Sequence, residues 1–140
     1  MQFTIHLVTW QTHAEQLRSV RETVFIKEQK VPVALEWDGL DDTALHLLAL
    51  THEGEAIGCA RLLGEGSIGR MAVIKSWRNQ GVGMALLQRS ITHYQQKGIS
   101  KIHLSVQTHA IKFYEKASFK VCSAPYLDAG IGHVDMQLGT

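Results

Sequence analysis

At 140 residues the chain is the size of one domain and can bury about two thirds of its unfolded surface in a single core. Only 19% of its residues are charged and they balance to a formal +1, which excludes a broad nucleic-acid or anionic-membrane face. Cys59 and Cys122 stand in no metal or redox spacing and read as core thiols of a reducing cytosol, and no stretch approaches a membrane span, so a cytoplasmic protein is expected.

In chain order, Phe3, Ile5 and Leu7 alternate with Thr4 and His6 as in a half-buried strand, a pattern unlike a secretory leader. Thr12 and Glu15 have capping-box spacing, Leu17, Val20 and Val24 form the apolar stripe of a helix, and Pro32 marks its stop. Residues 44–50 read as a buried strand that turns at Glu53-Gly54 into a second strand over 56–63. After the turn Gly64-Glu65-Gly66, an apolar strand over 68–74 leads into a helix from Met84 to about Lys97, with Met84, Leu87, Ile91 and Tyr94 on one face and Gly98 beyond its end. Residues 101–106 predict a strand, 110–117 a short helix, and 121–124 with 133–138 a closing strand pair. The order predicts one α/β (α+β) domain over residues 1–140, with a mixed, mostly antiparallel central sheet flanked by helices.

Arg78-Asn79-Gln80-Gly81-Val82-Gly83 lies between a strand and a helix N-terminus, where orphan N–H groups and the positive end of the helix dipole favour an anion. Two glycines keep Cβ atoms out of the way, and Arg78 offers a forked donor to phosphate oxygens. No Gly-x4-Gly-Lys-Ser/Thr string occurs, so this is not a nucleotide-triphosphate loop. The dinucleotide fingerprint fails too, because position 86 is Leu and no acidic residue closes the following strand.

What remains is Arg/Gln, two residues, Gly, one residue, Gly/Ala, after a strand ending in Met71-Ala72-Val73. This resembles the pyrophosphate loop of the GCN5-related N-acetyltransferases (GNAT). Phe113-Tyr114-Glu115-Lys116-Ala117-Ser118-Phe119 is similar to the family's Phe-Tyr-Glu-Lys-x-Gly-Phe segment, with Ser118 in place of glycine, so the left-handed cap expected there is strained or replaced by another turn. Arg21, Val24-Phe25, Glu28-Gln29, Pro32, Glu36-x-Asp38-Gly39-x-Asp41 and Gly130-Ile131-Gly132-His133 resemble the ElaA-like (YjcF-like) branch of acyltransferases. The resemblance implies a sheet splayed around an acetyl-CoA groove. Pyrophosphate would lie on the amides of Gly81, Val82, Gly83 and Met84 beside Arg78, Asn79 and Gln80, with pantetheine along Met71, Ala72 and Val73 and near Gln107 and Phe113.

Direct transfer of an acetyl group to a primary amine needs a neutral nucleophile, an oxyanion donor and a proton for the departing thiolate. Tyr114 is the expected acid, since a phenol of pKa about 10 keeps its proton at neutral pH; a backbone N–H near Val73 is the expected oxyanion donor. Candidates for the base are Glu28, His46 and His133, or a water chain to a loop carboxylate. Glu36, Asp38, Asp41 and Asp42, with Trp37 among them, suit a cationic small-molecule acceptor, Glu28 beside them, and equally describe a solvated acidic loop. A protein lysine or N-terminal amine is the alternative acceptor, and a non-catalytic acyl-CoA-binding or regulatory module the alternative function. Eight histidines without ligand spacing predict no metal. No nucleic-acid or membrane partner is expected, and either a monomer or a homodimer fits.

Overall fold

The computed structural model describes residues 2–139. The strands are β1 (Phe3–Thr9), β2 (Leu45–Thr51), β3 (Ala56–Leu63), β4 (Ser67–Val73), β5 (Ile102–Gln107), β6 (Lys120–Val121), β7 (Tyr126–Asp128) and β8 (Ile131–Leu138). The helices are α1 (Trp10–Arg21), α2 (Val33–Glu36), α3 (Val82–Gln96) and α4 (Ile111–Glu115). One sheet runs in the order β1-β2-β3-β4-β5-β8-β6, with β7 on β8. Every pairing is antiparallel except β4 with β5, which are parallel and share one register pair, Ser67 with His103. The sheet is therefore closed at that end and open at the other.

Both faces of the N-terminal half are covered, which is why β2 is a continuous apolar run. Leu47 and Ala49 pack with α3 side chains such as Leu86 and Leu87, while Leu48 joins Leu17, Val20 and Val24 on the opposite face. Gly58 lets α3 lie close to the sheet: a Cβ there would stand 3.1 Å from Val82, Leu86 and the Ala72 carbonyl. Cys59 is buried as expected, but Cys122 is exposed, because its segment runs past the end of β6. Among the described residues no helix is long and apolar enough to cross a membrane.

Several boundaries differ from the sequence expectation. The first helix begins at Trp10 and its capping box joins Thr9 and Thr12, each hydroxyl accepting from the other's backbone N–H at 3.3 Å, with a kink at His13. Thr9 ends β1 in an extended conformation, which aims its Oγ1 at the first turn. From Glu22 to Glu28 the helix widens into a π-helical turn that ends at its C-cap, Gln29, shortly before Pro32, which also precedes the first residue of α2. The closing pair is rearranged as well. β6 is two residues long, and β7 forms a hairpin with β8 through Ala129 and Gly130, whose φ values of 53° and 76° match the two-residue turn that strand twist favours.

Candidate active site

The anion turn has the expected backbone. Gly81 is the N-cap of α3 in the left-handed region (φ 88°), no side chain caps the helix, and its first bond runs from Ala85 N–H to Gly81 O at 3.0 Å. The amides of the first turn therefore remain as donors. Gly83 also has a packing role. Its missing Cβ would meet Phe113 Cζ at 3.3 Å and Val73 at 3.8 Å, so this glycine makes room for an α4 ring against the end of β4.

Arg78 is not a free fork. Its Nε donates to Val73 O at 2.9 Å, and its two terminal nitrogens donate to Glu28 at 2.6 and 2.7 Å. Hydrogen bonding from Arg78 holds the Glu28 carboxyl below its usual range, and Glu28 in turn raises the guanidinium. An acid held in its ionised form this way is a weak proton acceptor, which counts against Glu28 as the base. Asn79 holds φ 62° beside Arg78, and Gln80 turns back to donate to Ser76 O at 3.1 Å.

The cleft lies between the parting ends of β4 and β5. In β4 an extra residue at Arg70 and Met71 shifts the register with β3, and Arg70 has φ 49°. Such a bulge re-aims side chains. Here Met71 Sδ is brought to 3.6 Å from the Tyr114 hydroxyl. Tyr114, on α4, is 9% exposed, flanked edge-on by Phe113 and Phe119, and burial pushes its phenol up to about 12. Its helix ends in a Schellman turn, with Phe119 N–H donating to Tyr114 O and Ser118 N–H to Glu115 O. Ser118 occupies the left-handed position (φ 73°), so the strained cap is the one this sequence uses.

Across the cleft, Gln107 at the end of β5 donates from Nε2 to Gln29 Oε1 at 2.8 Å. His133, its register partner on β8, donates from Nδ1 to Ile131 O at 2.7 Å, which leaves the lone pair of the neutral ring on Nε2. His46, by contrast, is buried beside Trp10, donates from Nε2 to Asp41 O, and is lowered by burial; it is a core histidine.

The acidic loop is not a free anionic surface. Arg21 donates to Glu36 at 2.7 Å and to Asp41 at 2.5 Å with all three side chains buried. Arg61 holds Asp38 at 2.8 Å and Asp41 at 3.2 Å, and Arg70 reaches Asp38 and the carbonyls of Leu35 and Glu36. Arg70 Nε lies 3.1 Å from Glu36 Oε2, at an angle too bent for a hydrogen bond. Three arginines thus face three of the four carboxylates, Glu36, Asp38 and Asp41, which weakens the expected pull on a cationic acceptor, while Asp42 stays exposed at the surface. Trp37 lies under Arg18 and Arg21, at 5.0 and 4.9 Å from their guanidinium carbons, so the aromatic face offered to an alkylammonium group already carries two cations. Arg61 was the missed signal: an arginine inside an apolar strand demands a buried partner.

The geometry agrees with three comparisons. Residues 11–140 match the model of the Acetyltransferase (GNAT) domain. The uncharacterized N-acetyltransferase YjcF of Bacillus subtilis is 38% identical over 130 residues, 87% of this chain and 91% of the relative. An acyl-CoA N-acyltransferase from Pseudomonas aeruginosa superposes with a TM-score of 0.80 at 28% identity, covering 98% of each chain. Escherichia coli ElaA shares the fold with a TM-score of 0.86 at 24% identity, covering 97% of this chain and 99% of its own. A family model spanning nearly the whole chain, with the left-handed glycine and the splayed β4–β5 pair in place, makes this protein a member of the GNAT family and an N-acetyltransferase.

Proposed function

We propose that the protein transfers an acetyl group from acetyl-CoA directly to a primary amine of a small acceptor. The observation that carries this reading is the Tyr114 hydroxyl, buried at the Met71 edge of the open cleft and beside the helix that presents uncapped amides. The residues suit such a donor: first-turn amides of α3 for pyrophosphate oxygens, and the β5-facing edge of residues 71–73, which has no strand beside it, for an extended amide-bearing arm. When bound, the thioester supplies an activated acyl carbon and a thiolate leaving group.

Tyr114 keeps its proton throughout the neutral range, with a phenol pushed up to about 12, and is the residue placed to protonate sulfur. The Met71 thioether that now faces the hydroxyl indicates an environment tolerant of a sulfur atom. His133 is the preferred base: its Nδ1–H is fixed on Ile131 O, so Nε2 can accept the amine proton, and on β8 it is the direct cross-strand partner of Gln107 at the end of β5. Glu28 is assigned a structural part instead. An uncharged or weakly charged primary amine now fits as well as a cationic one, since Glu36, Asp38 and Asp41 are spent on arginines. An amine panel scored by release of free CoA tests the reading: turnover with at least one primary amine is expected, and acyl-CoA binding without amine-dependent release across the panel would favour a regulatory binding module.

A further inference from the structure

Beyond Ser67 no register pair joins β4 to β5, yet their open ends are bridged from outside the sheet by the π-helical turn over Glu22–Glu28. Its backbone bonds reach further back than those of an α-helix: Gln29 N–H donates to Val24 O at 3.0 Å and Val31 N–H to Phe25 O at 2.9 Å. Such widened turns cost helix geometry and concentrate where a side chain must be re-aimed. Here two successive side chains go to opposite arms of the cleft. Glu28 takes both terminal nitrogens of Arg78, at 2.6 and 2.7 Å, and Arg78 holds the last carbonyl of β4, Val73 O, at 2.9 Å. Gln29 accepts from Gln107 Nε2 at the last residue of β5, at 2.8 Å.

We infer that Glu28 and Gln29 form a two-point clasp that fixes the separation of the β4 and β5 ends, making them positioning residues for acyl transfer. The inference rests on the transferase reading. Direct transfer is sensitive to displacements of about 1 Å between reacting groups, so a sheet pinned at only one end needs a second fastening. The clasp supplies it before any substrate arrives. It also accounts for why Glu28, although beside the cleft, is committed to a bidentate ion pair, and it gives Gln29 a part to play.

The test compares Gln29→Met, which removes the acceptor for Gln107, with Gln29→Glu, which keeps an acceptor oxygen at the same reach. One lost hydrogen bond corresponds to about three- to tenfold in an equilibrium. In Gln29→Met, exchange at the Gln29 and Val31 amides should quicken by about fivefold, with α3 amides unchanged. Turnover should fall by a similar factor of about five, while CoA affinity by calorimetry moves less than about twofold. Gln29→Glu should stay near wild type in both exchange and kcat. A Gln29→Met protein matching wild type in exchange and kcat would overturn the clasp, as would a Gln29→Glu protein that behaves like the methionine variant. A wild type inactive on every amine would instead sink the transferase reading, and the exchange arms would still decide whether the clasp exists.

Discussion

Two polar segments flank β4, and they spend their charge differently. In the turn over residues 78–84 the polar groups left as donors are backbone amides fixed by the start of α3, and no side chain caps the helix. In the loop over 36–42 the groups are carboxylates, and arginines from α1, β3 and β4 pair with Glu36, Asp38 and Asp41. A local backbone motif keeps its meaning wherever the chain folds. A cluster of charges acquires meaning only from partners remote in sequence, as in Arg21, Arg61 and Arg70, so it is the segment whose role depends on the tertiary structure.

The sharpest way to break this contrast is Arg21→Met. Removing one partner leaves Glu36 and Asp41 buried with part of their compensation gone, and the expected cost is about 3–5 kcal/mol of unfolding free energy in urea. Arg78→Ala, which breaks a half-exposed pair, should cost about 1 kcal/mol or less. If both substitutions cost the same, the loop is an ordinary surface loop and the contrast fails.

Next in size is Tyr114→Phe, which keeps the ring between Phe113 and Phe119 and removes only the proton donor. A fall in kcat of about 10²-fold, about 2.7 kcal/mol of barrier, is expected with little change in CoA affinity or unfolding midpoint. A donor thioester with a more acidic thiol should recover part of the loss. Wild-type kcat in a chemistry-limited assay would reduce the hydroxyl to a packing detail.

The same division explains how much could be read from the chain alone. The strands over 44–50 and 56–63 and the helix ending before Gly98 were legible because apolar periodicity and glycine placement are local. Ser118 was legible for the same reason: the left-handed cap belongs to the helix end, whatever residue fills it. The π-turn was not, since a single widened turn leaves the Leu17, Val20, Val24 stripe intact while rotating Glu28 and Gln29. The Gly-rich turn before the last strand carries a local signal, but the short strand Tyr126–Asp128 that it joins to β8 does not. The packing of Phe113 on Gly83 was not legible either, because the two residues stand thirty positions apart.

Gly83 offers a finer test of which neighbour matters. Gly83→Val should cost about 1–3 kcal/mol of stability through overpacking on Phe113, and Phe113→Leu in the same chain should relieve part of it. Additive costs in the double variant would remove the packing role of this glycine. Smaller again is the acid response of the loop. Asp38 is held below its ordinary value of 3.8 chiefly by hydrogen bonds from Arg61, so its stabilising contribution is complete above that pH and is lost as pH falls toward the depressed folded value. Between about pH 4 and 2, Asp38→Asn should remove up to about 1.4 kcal/mol per pH unit from the slope of unfolding free energy. An unchanged slope would mean that Arg61 does not hold this carboxylate in solution.

The smallest effect returns to local backbone geometry. Ser118 sits at φ 73° because Phe119 N–H must reach Tyr114 O and Ser118 N–H must reach Glu115 O to close the end of α4. A side chain in that region costs about 1–2 kcal/mol, whereas glycine adds about 0.5–1 kcal/mol of unfolded-state freedom. The difference favours Ser118→Gly by about 0.5–1 kcal/mol, a rise in Tm of about 2–4 °C for a chain of this size. The hydrogen bonds that fix Tyr114 are backbone bonds and survive the change, so kcat should stay at the wild-type value. A stabilised protein with altered turnover would mean that the strained cap itself tunes the position of the phenol; a protein no more stable would mean that the serine has relaxed out of the left-handed turn and that α4 ends differently in solution.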